Sequence, residues 1–341
     1  MGKISFLGAG SWGTALAIML AKQGHEIILW SKIEAEVTML LENREHKNRL
    51  PGVMLPDSVV VTSDLEMACA DRDLLVFAVA SPFVRSTAKM AAPLLPQGQR
   101  IVNVAKGIEE SSLKTLRDIL VEEIPQADVS VLSGPSHAEE VAVGMPTTVV
   151  VGSTNKASAI FIQEIFMNDN FRVYISPDII GIELGGSVKN VIALAAGVCD
   201  GLGFGDNTKA ALITRGITEI SRLGVAMGAK METIGGLSGI GDLIVTCTSN
   251  HSRNHNAGYL IGQGRSVEEA LEEVKQVVEG VYSAKAVNML AKKYKVSMPI
   301  VEQICQVLFE GADVNAAIKK LLTRDRCMEY PDLGWIDDDK V

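Results

Sequence analysis

The sequence predicts an α/β chain in two parts, an N-terminal doubly wound sheet followed by a C-terminal all-helical domain. Three features of the chain lead there. Its 341 residues exceed one ordinary core and suggest two domains. Short apolar runs recur through the first half, at 4–7, 27–30, 59–61, 74–79, 101–104, 129–132 and 147–151. Around Ile175 the texture changes, and from Pro177 onward the pattern is helical, broken by glycine-rich turns.

Runs that are apolar without alternation suit strands covered on both faces. Segments with helical spacing separate most of them, as at 15–21 and 113–123, so the sheet should be open and parallel with helices on both sides. In the second half, 181–200 reads as one long helix and 207–227 as another, with Asp206 or Asn207 placed to cap it. Further helices fit 254–262, 267–273, 283–294, 300–309 and 314–322. The boundary is placed near residue 180, which gives units of 1–180 and 181–341. The acidic tail from Asp332 to Val341 is expected to be mobile.

Composition excludes several classes. A hydrophobic share of 47% with 21% charged residues fits a globular chain. A net charge of −9 gives no general attraction to nucleic acid or anionic lipid. Cys69, Cys199, Cys247, Cys305 and Cys327 form no C-x-x-C pair and are odd in number. That argues against a disulfide framework and a zinc site, and for a reducing compartment. No charged and then apolar leader precedes the first strand, so no signal peptide is expected. The apolar run at 191–199 is too short to cross a bilayer.

Gly8-Ala9-Gly10-Ser11-Trp12-Gly13 is a G-x-G-x-x-G motif between the first strand and a helix expected to begin near Thr14. In that context Gly8 permits the tight turn, Gly10 lets a diphosphate approach, and Gly13 lets helix and strand pack closely, the fingerprint of a Rossmann dinucleotide site. Helix-start amides then meet the diphosphate charge. At the end of the second strand, where an acid would bind the ribose of NAD(H), stands Trp30-Ser31-Lys32. A hydroxyl and an amine there favour the 2′-phosphate of NADP(H), with NAD(H) accepted, unless Lys32 is merely a solvated helix-start residue. Ala80-Ser81-Pro82, Lys106-Gly107 and Ser133-Gly134-Pro135-Ser136 fall at the carboxyl ends of later strands, where ligands gather. Ser136 with Glu139 also makes a capping-box pattern.

A second constellation lies in the helical half. Gly185-Gly186-Ser187-Val188-Lys189-Asn190 sits inside the long apolar helix, and paired mid-helix glycines imply that something packs against that face. Gly185 and Lys189, four apart, share it. Desolvation and a neighbouring cation would lower the pKa of Lys189 towards that of a general base, while a nearby Asp would act the other way. The glycine-rich run 235–241 reads as a loop presenting Asp242, or as a flexible linker. Within 249–254, Arg253 offers a bidentate fork for a phosphate, with Ser252 and helix-start amides beside it. His251 and His255 are four apart but lack a third ligand, so no metal is expected.

Together GAGSWGTALA (8–17), AKGIE (105–109), SGPSHAEEV (133–141), ELGGSVKNVIALAAG (183–197), GFGDNTKAALITRG (203–216), GLSGIGDLIVTCTSNHSRN (236–254) and VVEG (277–280) resemble bacterial-type NAD(P)-dependent glycerol-3-phosphate dehydrogenase. One departure is at Ser31-Lys32, where that family commonly carries an arginine. The resemblance implies that Lys189 is the catalytic base, that Lys106 touches both cofactor and substrate, and that Lys106 and Asp242 complete the catalytic set. Gly134, Ser136, Asp242, Ser252, Arg253 and Asn254 match substrate-binding positions. Ser11, Trp12, Lys32, Lys106, Ala138, Arg253, Val277 and Glu279 match cofactor contacts. It further implies a helical domain of the 6-phosphogluconate-dehydrogenase-like kind, and a cytoplasmic homodimer feeding phospholipid synthesis. The rival activities are a 3-hydroxyacid dehydrogenase or a ketopantoate reductase, whose substrates carry a carboxylate, and a nucleotide sensor that has lost its second site.

Overall fold

The computed structural model describes residues 1–326, 328 and 329; the acidic tail and Cys327 fall outside the described residues. The first half alternates as expected: β1 (Lys3–Leu7), α1 (Ser11–Lys22), β2 (Glu26–Trp30), α2 (Glu34–Asn43), a small hairpin of β3 (Glu45–His46) and β4 (Leu50–Met54), β5 (Val60–Thr62) and α3 (Leu65–Cys69). It continues through β6 (Leu74–Phe77), α4 (Val84–Ala91), β7 (Arg100–Asn103), α5 (Leu116–Glu123), β8 (Asp128–Ser133), α6 (Ala138–Ala142), β9 (Thr147–Gly152), α7 (Lys156–Phe166) and β10 (Phe171–Ser176). Eight strands form one sheet in the order β10-β9-β8-β7-β6-β1-β2-β5. Apolar clusters cover both of its faces, one around Phe6, Leu16 and Phe166, the other around Phe77, Leu120 and Val84.

The expectation of a parallel sheet needs one correction: β8 and β9 pair antiparallel. The connection between them holds only the five-residue α6, which packs on α1. No crossover helix therefore lies over the sheet at this point, and the chain turns back beside β8. β10 extends the sheet and was not foreseen. Phe171 and Val173 are buried while Arg172 and Tyr174 face out, an alternation suited to an edge strand rather than to the continuous apolar runs of the centre.

The helical half comprises α8 (Ile179–Gly201), α9 (Asp206–Ala226), α10 (Met231–Ile234), a π-helical turn over Leu237–Gly241, α11 (Asp242–Thr248), α12 (Arg253–Gly262), α13 (Val267–Val274), α14 (Glu279–Tyr294), α15 (Pro299–Phe309) and α16 (Val314–Leu322). Neither Asp206 nor Asn207 caps α9: the N-cap is Gly205, and no side chain caps it. The glycine-rich run before Asp242 is neither an open loop nor a linker. It winds as helix and π-turn and runs directly into α11.

α8 is the axis of this domain. By length and composition it could cross a membrane, but 94% of its apolar stretch is buried inside the protein. Its closest neighbour is α12, and glycines make the approach possible. A Cβ on Gly197 or Gly201 would collide with the α12 backbone at His255 and Tyr259, and one on Gly258 or Gly262 with the α8 backbone at Leu194 and Val198. Each pair is four residues apart and so lies on one helix face. Gly258→Ala should therefore destabilise the protein by about 3 kcal/mol or more, the upper end of overpacking penalties. Urea unfolding monitored by far-UV circular dichroism checks this, and an unchanged midpoint would contradict the packing.

Candidate active site

The dinucleotide motif has the geometry its glycines require. Gly8 has φ +121°, and a Cβ there would sit 2.7 Å from the backbone of Ala78 and Val79 just after β6. A Cβ on Gly13 would press into the carbonyl oxygen of Gly8. α1 starts at Ser11 rather than near Thr14, with Gly10 as N-cap, no side chain capping it and no acid in its first turn. Its first amides are thus free for a diphosphate, and the turn fits a bound dinucleotide.

The end of β2 differs from expectation. Ser31 is buried and its hydroxyl donates to Glu36 at 2.7 Å, so it is not an open phosphate donor. Glu36, in α2, is an acid at the strand end that the linear sequence concealed. It also takes an ion pair from Arg49 at 2.7 Å. Arg49 itself reaches to 3.6 Å from where a Cβ on Gly10 would be. Lys32 is exposed and makes no hydrogen bond or ion pair among the described residues.

The opposite wall is built by α8 and α11. Gly185 and Gly186 exist because neighbours press on them: a Cβ on Gly185 would meet the Ser238 carbonyl oxygen at 2.6 Å, and one on Gly186 the Ser133 hydroxyl at 2.8 Å. One turn on, Lys189 is buried and donates to Asp242 at 2.5 Å and to Thr246 at 2.6 Å. An ammonium has three N–H donors, so one remains. Asp242, also buried, accepts on its other oxygen from Lys106 at 2.6 Å. Lys106 donates further to the Gly134 carbonyl at 3.1 Å and the Ser136 hydroxyl at 3.2 Å. The loop bearing Lys106 is pinned to α8 through Ser187, which accepts from the Gly107 amide at 2.9 Å. Ser136 makes no capping box with Glu139; α6 starts one residue later, at a His137 N-cap without side-chain capping, and Ser136 turns to the Gly134 carbonyl instead.

Burial lowers the pKa of Lys189 to about 8, with the Lys106 charge acting in the same direction and Asp242 opposing. At neutral pH Lys189 is charged but close to releasing its proton. Arg253 opens α12 and makes no ion pair or side-chain hydrogen bond among the described residues, and burial holds it below the usual guanidinium range while Glu279 and Glu139 act against that. Ser252 caps α12 by accepting from the His255 amide at 3.2 Å. The Asn254 side chain is committed internally, donating to Asn190 at 3.1 Å and accepting from the Gly280 amide at 2.8 Å. Glu279 reaches across to the first half and accepts from the Ser81 amide at 3.2 Å and hydroxyl at 2.5 Å. Val277 is partly buried just before it. Ser11, Trp12, Ser136, Ala138 and Arg253 share one cleft of about 520 Å³.

Structure thus gathers Lys106, Gly134, Ser136, Lys189 and Asp242 into one hydrogen-bonded cluster, joins Ser11, Trp12, Ala138 and Arg253 along the cleft, and leaves Lys32 apart. Sequence reasoning missed Thr246, Ser187, Glu36 and Arg49. Only Thr246 carried a signal, since it stands four residues after Asp242 on the same helix face.

A free helix start for a diphosphate on one half, and a buried lysine near its proton-release point on the other, define a nicotinamide-dependent oxidoreductase acting on a CH–OH group. Sequence profiles of the N-terminal and C-terminal parts of NAD-dependent glycerol-3-phosphate dehydrogenase match residues 3–159 and 178–319. The chain is 58% identical to glycerol-3-phosphate dehydrogenase [NAD(P)+] of Agathobacter rectalis over 98% of its length and all of the relative's. It is 55% identical to the enzyme of the same name from Fusobacterium nucleatum, over 96% of this chain and 99% of that one. The crystal structure of glycerol-3-phosphate dehydrogenase from Coxiella burnetii superposes with a TM-score of 0.92 at 38% identity, covering 95% of this chain and 99% of that one. The chain belongs to the NAD(P)-dependent glycerol-3-phosphate dehydrogenase family.

The shared position of Asp242 gives a test. Asp242→Asn removes the group that raises the Lys189 pKa and leaves Lys106 to lower it further. In variant protein that still binds nucleotide, the alkaline limb of the pH–rate profile should move down by about one pH unit or more. A limb that stays at about 8 would show that Asp242 does not set it.

Proposed function

We propose that the chain catalyses reversible reduction of dihydroxyacetone phosphate to sn-glycerol 3-phosphate with NADPH or NADH, Lys189 acting as general acid–base. The observation that carries this is the buried Lys189 ammonium with one donor to spare, in the same site as an unpaired Arg253. When bound, the nicotinamide supplies or accepts the hydride at the substrate's C2. In reduction Lys189 stabilises the growing charge on the C2 oxygen and then protonates it; in oxidation neutral Lys189 takes that proton. Lys106 adds a second cation to the developing oxyanion, and Asp242 holds both lysines in register. Arg253, with Ser252 and the first amides of α12, that of Asn254 among them, holds the remote phosphate, and that binding energy aligns the reacting carbon. Gly134 and Ser136 line the carbon skeleton beside Lys106.

Gly8, Gly10, Ser11, Trp12, Gly13, Lys32, Lys106, Ala138, Arg253, Val277 and Glu279 are assigned to the cofactor, within a binding unit of 1–180 and a catalytic unit of 181–341. The enzyme is placed in the cytoplasm as a homodimer that supplies sn-glycerol 3-phosphate for phospholipid synthesis. Among the described residues four cysteines are buried and unpaired, which supports a reducing compartment.

Four measurements test the assignment. With NADPH and NADH followed at 340 nm, turnover should be fast with dihydroxyacetone phosphate and negligible with unphosphorylated dihydroxyacetone. Arg253→Ala should raise KM for dihydroxyacetone phosphate by roughly tenfold or more and narrow the gap in kcat/KM between the two ketones; an unchanged gap would sink the phosphate role. Lys189→Ala should keep cofactor affinity but lose about 100-fold or more in kcat. Because the lysine must be protonated for reduction and neutral for oxidation, wild-type reduction should fall above a pH of about 8 and oxidation rise through it. Near-normal turnover in Lys189→Ala, or flat profiles, would exclude that role.

A further inference from the structure

His137 and His251 face each other across the cleft, one from each half of the chain. Their ring centroids are 5.8 Å apart and the planes are tilted by 53°. Both line the cleft together with Ser136 and Arg253. Neither ring is committed elsewhere. His137 Nε2 lies 3.5 Å from the Val245 carbonyl, at the outer limit of a hydrogen bond, and the His251 ring has no hydrogen-bond partner among the described residues. Two imidazoles and one guanidinium therefore border one cavity with their N–H groups largely unused. Such a donor set has the chemistry of a site for a polyanion.

We propose that His137 and His251 form the outer wall of the phosphate site and hydrogen-bond the substrate's phosphate alongside Arg253. The inference rests on the reading of the substrate as a ketone phosphate. Position favours the substrate's phosphate over the cofactor's. His137 follows Ser136, whose hydroxyl touches Lys106, and it feels the charge of Lys189. His251 stands two residues before Arg253. The start of α1, where the diphosphate-accepting turn lies, borders the same cleft through Ser11 and Trp12, so the cofactor KM decides between the two phosphates.

The electrostatics make the pair responsive. Facing His137 are Lys189 on α8, Glu139 and Glu140 on α6, and the Val245 carbonyl on α11. Arg253 on α12 borders the same cavity. Burial holds the His137 pKa below the usual imidazole value, with Lys189 adding to the effect and the two glutamates opposing. A bound dianion favours the imidazolium form of His137 against that burial, so its hold on phosphate is tightest at mildly acidic to neutral pH. Because each histidine comes from a different half, a phosphate held by both also draws the two halves together over the substrate.

The test uses full-length enzyme and the variants His137→Phe and His251→Phe, which keep an aromatic ring but remove the donors, with His137→Gln and His251→Gln as donor-restoring partners. KM values for dihydroxyacetone phosphate, NADPH and NADH are measured from about pH 6.5 to about pH 8.5. Each Phe variant should raise KM for dihydroxyacetone phosphate by about tenfold near pH 6.5. The effect should fall mainly on KM rather than kcat, shrink as pH rises in His137→Phe, leave cofactor KM unchanged and be partly recovered in the Gln variants. An unchanged KM for the ketone phosphate, a pH-independent rise in His137→Phe, or a rise in cofactor KM instead would overturn the proposal. A wild-type enzyme inactive on dihydroxyacetone phosphate would overturn the underlying substrate reading itself, which separates the two failures.

Discussion

The site depends on one buried carboxylate. Asp242 accepts from Lys189 with one oxygen and from Lys106 with the other, and its side chain is almost wholly shielded from water. Two ammonium groups could not be held this close in a buried site without it, because neither desolvation nor their mutual repulsion would be offset. Lys106 belongs to the sheet and Lys189 to the helical core, so the same carboxylate also ties the two halves together. The triad keeps a net positive charge, and Arg253 adds a cation without an ion pair among the described residues, in a cleft that Glu139 and Glu273 also line.

Packing explains how a lysine comes to sit on so apolar a helix. α8 is surrounded by other elements and contacts α9, α11, α12 and α14. Along its length small residues face whatever must come closest: Gly185 and Gly186 admit the π-turn and the Lys106 loop, and Gly197 and Gly201 admit α12. The first pair lets Asp242 arrive beside Lys189. The second pair sets α12, and so Arg253 at its start, at a fixed distance from the same helix. Glycine in a helix interior is destabilising by about 1 kcal/mol relative to alanine, and here close helix packing offsets it. Lys189 and Arg253 are thereby referenced to one rigid rod, the placement on regular elements that a precise site requires.

Much of this was legible in the sequence, and the exceptions share a physical cause. The seven apolar runs and the long helices report burial directly, so the central strands and α8 were readable to within a few residues. Gly8–Gly13 and Lys189 were readable because glycine spacing and a lone lysine in an apolar run are local signals. What could not be read was pairing between distant side chains. Ser31 looked like an open donor until Glu36, a turn into the next helix, took its hydroxyl. Ser136 and Glu139 had the spacing of a capping box, but α6 begins after Ser136, whose hydroxyl serves the Lys106 cluster instead. The run before Asp242 looked like a loop because glycine disfavours helix; tertiary packing against Gly185 overrode that propensity. The turn of the sheet at β9 was hidden for a similar reason, since strand direction depends on where α6 packs and not on the strand's own residues.

Opposed demands on Lys189 connect these points. Burial alone would favour loss of its proton, and Asp242 alone would hold that proton firmly. The observed compromise, a pKa of about 8, arises because burial and Lys106 act one way and Asp242 the other. A reversible proton transfer works best when the group lies close to the operating pH. Each of the three influences comes from a different element, α8, the Lys106 loop after β7 and α11. Any shift of the sheet half relative to the helical half would move Lys106 against the other two and change the Lys189 pKa. The Ser187 clamp on the Lys106 loop and the Ser81–Glu279 contact between the two halves hold that geometry.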